Sequence, residues 1–188
     1  MTLEVELKFP VPDPAEAEGR IANTGAKLVR AGVEKDLYFN HPSRDFAQTD
    51  EALRIRTTDK ESRITWKGPV LGPVVRTRQE IEVPLDADQQ CPRQLARILA
   101  RLGFREVRTV RKSRLVYRLI RDNQQVEFSV DTVDELGSFV EIETLCDEDD
   151  RRTAEQLVLK LAEELGFRSS EKRSYLDLLL EQDARAVS

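Results

Sequence analysis

Sulfur, imidazole and indole are scarce in this chain: its 188 residues include two cysteines, one histidine, one methionine and one tryptophan. Cys91 and Cys146 belong to no CxxC or Cys/His pattern, so no thiolate metal motif and no disulfide framework is present. That usage points to a reducing, cytoplasmic setting with both thiols serving as small hydrophobes. No apolar run approaches the ~18 residues that a membrane span needs, and the N-terminus reads as a strand rather than a targeting peptide. An excess of basic charge is missing as well. Thirty Lys and Arg stand against 35 Asp and Glu, a formal net charge of -5, and no basic stripe is interleaved with aromatics, which disfavours a nucleic-acid partner. What the chain has in quantity is charge of both signs, on 35% of its residues, so its distribution carries more meaning than its sum.

The distribution is periodic. In Glu4-Val5-Glu6-Leu7-Lys8-Phe9 the charged and apolar residues alternate, which on a β-strand puts Glu4, Glu6 and Lys8 on one face and Val5, Leu7 and Phe9 on the other. The same alternation recurs in Leu53-Arg54-Ile55-Arg56, Glu80-Ile81-Glu82-Val83 and Val140-Glu141-Ile142-Glu143. Further strands are expected over 27–29, 34–39, 63–67, 76–85, 104–119 with a break or bend, and 125–133, joined by turn signals at antiparallel-hairpin spacing. Helices are expected over 15–23, capped by Asp13 with Pro14 at its first position, over 88–102, 151–165 and, at the C-terminus, about 174–183. The unit Glu-x-Glu strand, helix, Gly appears three times, ending at Gly25, Gly103 and Gly166, and reads as a pseudo-repeat.

Like charges two residues apart share a face at Glu4/Glu6, Arg54/Arg56, Arg76/Arg78, Glu80/Glu82, Lys112/Arg114 and Glu141/Glu143. A merely solvated face has no need to gather charges that repel. The apolar faces of about eight strands need cover, and the amphipathic helices are the cover available. An α+β fold follows: about eight strands at antiparallel spacing, with helices over the oily side and the ionic side inward, which can close into a β-barrel with a polar lumen, formed as one domain over 1–188. At this length roughly two-thirds of the unfolded surface can be buried without staples. Carboxylates bind hard cations such as Mg²⁺ or Mn²⁺, while guanidinium and ammonium groups bind phosphate oxygens, so a metal-bound polyphosphate satisfies both sets. Without such a ligand, unpaired buried charges are strongly unfavourable.

These residues, in this order, resemble the CYTH superfamily, the triphosphate tunnel metalloenzymes, which include class IV adenylyl cyclases, thiamine triphosphatases and inorganic triphosphatases. Glu4-Val5-Glu6-Leu7-Lys8 is similar to the family's ExExK signature. Asp36-Leu37-Tyr38-Phe39, Leu53-Arg54-Ile55-Arg56, Thr65-Trp66-Lys67-Gly68-Pro69, Arg78-Gln79-Glu80-Ile81-Glu82, Lys112-Ser113-Arg114, Leu136 to Glu143 and Ser174-Tyr175-Leu176 resemble its later blocks. The resemblance implies a closed antiparallel eight-stranded tunnel that binds a triphosphate with one or two divalent ions, Mg²⁺ or Mn²⁺. It implies Glu4, Glu6, Glu141 and Glu143 as metal ligands, with Asp131 as a further one. Lys8, Arg54, Arg56 and Lys67 would be the catalytic cations of the lining. Arg78, Lys112 and Arg114 would bind substrate, together with whichever of Lys172 and Arg173 turns inward; Glu80 and Glu82 would position basic residues through salt bridges or help with metal.

Tyr38 to Phe46, with His41 inside it, resembles the class IV adenylyl cyclase branch, where ATP yields cyclic AMP and pyrophosphate. His41 reads either as a substrate contact or as a loop residue packed beside Pro42. The alternative is hydrolysis of inorganic triphosphate, a nucleotide or thiamine triphosphate. A non-catalytic polyphosphate binder is a third reading, against which the four acids speak, since they would repel the ligand. Trp66, Phe46 and Tyr175 are candidates either for stacking on a base or for core packing. No side chain stands out as a proton acceptor, and a homodimer is expected from the branch alone.

Overall fold

The computed structural model describes residues 2–72, 74–85 and 90–187. Eight strands, β1 (Thr2–Pro10), β2 (Lys27–Asn40), β3 (Ala52–Thr57), β4 (Ser62–Lys67), β5 (Arg76–Leu85), β6 (Arg105–Arg121), β7 (Gln124–Val133) and β8 (Gly137–Asp147), close into a ring. Its order is β1-β5-β4-β3-β2-β6-β7-β8, with β8 returning to β1 and every pairing antiparallel. Among the described residues five α-helices accompany it: α1 (Pro14–Asn23), α2 (Phe46–Thr49), α3 (Gln90–Arg101), α4 (Arg151–Glu164) and α5 (Tyr175–Val187). The expected start of the second long helix, at Asp88, lies outside the described residues.

Alternation decides which way each strand faces. On β1, Val5 and Leu7 point out of the ring and are buried by α1 and α4, through Ala17 and Ile21 of one and Leu157, Val158 and Leu161 of the other. Val126, Phe128, Val140 and Ile142 complete that cluster from β7 and β8. A second outer cluster gathers Phe39, Leu53 and Ile55 under Leu99 of α3 and Phe46 of α2. The Asp13 carboxylate caps α1 by accepting from the backbone N–H groups of Ala15 and Glu16, at 2.9 and 3.2 Å. Gly25, Gly103 and Gly166 follow α1, α3 and α4 with φ of +87°, +91° and +70°, left-handed conformations that favour glycine as helix terminator. The three-fold strand, helix, Gly pattern is therefore real in local structure.

Three details depart from the sequence reading. The first is α2, a single turn that the periodicity does not announce; Asp45 caps it, and Asp50 ends it at φ +54°. The second is the long strand β6, which runs as one strand from 105 to 121: its expected bend takes the form of one extra residue between Glu106 and Thr109, opposite Leu37 and Phe39, and β2 carries an extra residue of its own between Leu28 and Arg30. The third is α5, which does not cover the outside of the ring. It packs Tyr175 and Leu179 against Tyr38, Val110, Val133 and Phe139. Val110, Val133 and Phe139 stand in register with Asp36, Lys112 and Asp131, so they lie on the inner face. The helix thus closes part of one end of the lumen.

Leu161 is fully buried beneath the sheet. Leu161→Ala is expected to lower unfolding stability by about 2–5 kcal/mol, read from the urea midpoint, because the α1/α4 layer cannot collapse into the gap.

Candidate functional site

The antiparallel register of β1 on β8 sets Glu6 directly opposite Glu143 and Lys8 opposite Glu141, all facing inward. Glu4 follows Glu6 on the same face. As a result one carboxylate oxygen from each of Glu4, Glu6 and Glu143 falls within 4.8 Å of the others. Like charges opposite one another on neighbouring strands repel, and the lumen supplies a counter-charge. Lys67 reaches in from β4 so that its ammonium donates to both Glu4 oxygens, at 2.7 and 2.5 Å, and sits 3.0 Å from Glu80. Burial and the neighbouring Glu4 push the Glu143 carboxyl up to about 8.

Glu141, expected with that group, is drawn elsewhere. It pairs with Arg114 and lies 4.0 Å from Lys8. Burial alone would raise its pKa, but Arg114 and Lys8 overcome this and hold it at about 2. Asp131 is likewise committed. Its two oxygens accept from Arg114 Nε and Nη2 at 2.7 and 2.5 Å, and the Tyr175 hydroxyl donates to it at 2.9 Å, with no exposed surface left. It stands outside the acidic cluster and acts geometrically as a partner of Arg114.

Two further acids organise the basic wall. Asp36 accepts from Arg56 through two bonds of 2.7 Å, from Arg54 at 3.2 Å and from Lys112 at 3.1 Å. Glu34 is 2.7 Å from Arg30 and 3.2 Å from both Arg56 and Lys112. Burial works against the charge of each acid. Lys112, Arg56 and Arg54 nevertheless hold Asp36 well below the usual carboxylate range, and Arg114, Arg56 and Lys112 do the same for Glu34. Neither is singled out as a site residue by the sequence alone, although Glu34-x-Asp36 on β2 repeats the inward alternation of the other acid pairs.

Some of the cationic capacity remains unspent. Arg54 Nε and Arg78 Nη2 are buried with no hydrogen-bond acceptor among the described residues, and the carboxylate nearest Arg78 Nη2, Asp50, is 3.8 Å away. Burial together with Arg76 lowers the Arg78 pKa. Lys8 is 2% exposed, its ammonium 4.4 Å from the centre of the Tyr175 ring, and Lys112 lies 5.7 Å from the same ring. A buried donor without an acceptor is costly, and such donors converging on one space mark a seat for an anion.

That space is a cavity of about 890 Å³ running through the ring. It is lined by Glu4, Glu6, Lys8, Arg54, Arg56, Lys67, Arg78, Lys112, Arg114, Glu141 and Glu143, among others. Asp131, His41, Lys172, Arg173 and Trp66, all put forward from the sequence, stand apart from the described lining. The ring of His41 packs edge-on to Phe104 at 5.1 Å and against Phe46 at 5.9 Å, which is the loop role. Lys172 and Arg173 border a small side recess with Arg76, where Arg173 pairs with Glu171 and Glu181. Trp66 donates its indole N–H to Glu51 at 3.1 Å and packs in the α3 cluster. The three clustered carboxylates offer hard oxygen donors that fit a divalent cation.

In the metal-free protein, Glu143 binds its proton more tightly folded than unfolded, so its contribution to stability is full below about pH 4.5 and is lost as pH rises toward about 8. The stability of the unaltered protein relative to Glu143→Gln is therefore expected to fall between pH 5 and pH 9, measured as the difference of urea midpoints without metal. A constant difference over that range would contradict the placement of Glu143 among like charges.

A search of known proteins agrees with this geometry. The model of the CYTH domain matches residues 2–175. A Methanocaldococcus jannaschii protein, provisionally named an adenylate cyclase, is 36% identical over 179 residues, which is 94% of this chain and 98% of that protein. The PH1819 protein of Pyrococcus horikoshii OT3 superposes with a TM-score of 0.83 at 39% identity, covering 95% of this chain and 99% of that one. HpAC1 from Hippeastrum, provisionally named an adenylyl cyclase and described as having a dominant triphosphatase activity, shares the fold with a TM-score of 0.68 at 19% identity, covering 97% and 96% of the two chains. In its sequence blocks, its closed ring of eight strands and its inward-facing charges, the chain belongs to the CYTH domain family.

Proposed function

We propose that this protein is a divalent-metal-dependent enzyme that holds a triphosphate in the barrel and converts ATP to cyclic AMP and pyrophosphate. The observation that carries the reading is the meeting, in one enclosed lumen, of the Glu4, Glu6 and Glu143 carboxylates with buried guanidinium donors on Arg54 and Arg78 that have no protein acceptor. An apolar or merely structural barrel has use for neither. The similarity to the Methanocaldococcus jannaschii protein supports the choice of reaction.

Each residue then has a chemical part. Glu4, Glu6 and Glu143 would hold Mg²⁺ or Mn²⁺, which supplies charge neutralisation at the phosphate oxygens and orientation of the attacking oxygen. Arg54, Arg78, Lys8, Lys112 and Arg114 bind the phosphate oxygens, and the guanidinium and ammonium charges stabilise the negative charge that grows on the departing pyrophosphate. Lys67, which the structure places between Glu4 and Glu80, is near enough to serve the same purpose. Asp36, Glu34 and Asp131 do not approach the substrate; they fix the cations in place, so the site needs little reorganisation when charge moves. Glu141 balances Arg114 and Lys8. Because the reaction is mostly positioning and neutralisation, the same wall also suits water attack on the γ-phosphorus, and the triphosphatase activity described for HpAC1 favours that as the second reading.

Purified protein supplied with ATP and Mn²⁺ or Mg²⁺ is expected to yield cyclic AMP and pyrophosphate. Free phosphate without cyclic AMP would replace this reaction by hydrolysis, and no turnover alongside tight binding would leave a binder only. Glu4→Gln is expected to lower metal-dependent turnover by about 100-fold or more while preserving the melting temperature within a few degrees. Arg78→Ala is expected to weaken triphosphate binding by about tenfold or more, since a charged hydrogen bond of about 1.5–3 kcal/mol is removed.

A further inference from the structure

Tyr175 has no part in the chemistry described so far, although it lines the cavity beside the cations that carry that chemistry. It is the first residue of α5, is 6% exposed, and packs with Leu179, Val110, Val133 and Phe139 at the end of the lumen that the helix partly closes. Apolar packing explains why an aromatic residue is there. It does not explain what the side chain touches. The Lys8 ammonium lies over the face of the ring, 4.4 Å from its centre, and the hydroxyl donates to Asp131 at 2.9 Å.

The cations around it are held in different ways. Lys112 is 3.1 Å from Asp36 and 3.2 Å from Glu34, and Arg114 pairs with Asp131 and Glu141. Lys8 is buried without such a bond: among the described residues its nearest carboxylate is Glu141, 4.0 Å away and beyond hydrogen-bond reach. An ammonium on a flexible four-carbon stem needs something to choose its direction. The negative face of an aromatic ring does so by attraction, and it differs from a carboxylate in two respects. It leaves the charge whole, and it leaves the N–H groups that point away from the ring free to donate.

The ring is in turn fixed from several sides. Phe139 meets it at 62° with centroids 5.1 Å apart, and Asp131 holds its hydroxyl. The backbone N–H of Glu171 donates to the Lys8 carbonyl at 2.7 Å, which ties the chain leading into α5 to the residue that the ring faces. Resting on the triphosphate reading above, we propose that Tyr175 is a positioning residue: its ring directs the Lys8 ammonium at the phosphate oxygens without neutralising it, and its bond to Asp131 sets the ring at the angle this requires. Tyr175 touches no substrate in this role and acts through Lys8. That assigns it neither to base stacking nor to packing alone.

Affinity for inorganic tripolyphosphate, which has no base to stack on a ring, is measured by calorimetry in Mn²⁺ at a temperature without turnover. The proteins compared are the unaltered chain, Tyr175→Phe, Tyr175→Leu, Lys8→Met and the double variant Tyr175→Leu/Lys8→Met, with a melting curve for each. Tyr175→Leu is expected to weaken binding by about tenfold, equivalent to about 1.4 kcal/mol, and Tyr175→Phe, which keeps the ring, by less than about threefold. In the Lys8→Met background the change to Leu is expected to cost less than about twofold, because a residue that acts through Lys8 has nothing left to act on. Equal affinities in Tyr175→Phe and Tyr175→Leu, or a Leu penalty of the same size with and without Lys8, overturn the proposal and leave the tunnel reading intact. Should Tyr175→Leu not fold, proton NMR of the unaltered protein decides instead. The Lys8 ε-methylene signals, identified by their loss in Lys8→Met, are expected upfield of those of exposed lysines through the ring current, and an unshifted position overturns the proposal. Failure of the unaltered protein to bind tripolyphosphate, or full affinity in Lys8→Met, overturns the tunnel reading and the proposal with it.

Discussion

Glu6 and Glu143 face each other across neighbouring strands inside a closed ring, and most of the structure can be understood from the need to live with that pair. Carboxylates enclosed in a medium less polar than water repel strongly unless cations answer them. Lys67 answers at Glu4, and Arg114 and Lys8 answer at Glu141. Those cations and their neighbours on the far wall would in turn repel one another, and Asp36, Glu34 and Asp131 hold them apart and in place. The lumen is therefore a lattice of charges with its imbalance concentrated at two points, the acidic cluster and the free donors of Arg54 and Arg78. A metal-bound polyphosphate is the ligand that would relieve both at once.

The ring closure follows from the same constraint. Inward charge leaves Val5, Leu7, Phe128, Val140 and Ile142 pointing outward, and α1 and α4 bury them. Had the sheet stayed open, the charged face could have been solvated and the acids kept apart. Closing β8 onto β1 is what brings Glu143 to Glu6. Fold and site are thus one piece of chemistry: the register that buries the apolar layer also assembles the carboxylates.

Much of this was legible before the structure, because strand alternation has a period of two and the ring obeys it. Glu4, Glu6, Glu143, Lys67, Arg54 and Arg78 all face inward as alternation requires, and the helix-ending glycines fall where the left-handed turns need them. What alternation could not show is which inward acid goes with which cation. Glu141 and Asp131 face inward as read, but their distance from the acidic cluster depends on strand stagger and on where Arg114 reaches, and both are non-local. Asp36 and Glu34 are hard to assign from sequence because the period of β2 breaks upstream of them, where an extra residue lies between Leu28 and Arg30. The turn of sense in α5 was equally hidden, since an amphipathic helix does not say whether its apolar side lies outside a barrel or across its end.

If Glu4, Glu6 and Glu143 hold one divalent cation with a triphosphate beside it, the cation and the triphosphate bind cooperatively. Equilibrium binding of Mn²⁺ followed by electron paramagnetic resonance, with and without ATP, tests it most directly on the unaltered protein and on Glu4→Gln/Glu6→Gln. Mn²⁺ binding is expected to tighten when ATP is present, with both the binding and the ATP effect lost in the double variant. Mn²⁺ binding of equal strength in the two proteins, or binding indifferent to ATP, would contradict it.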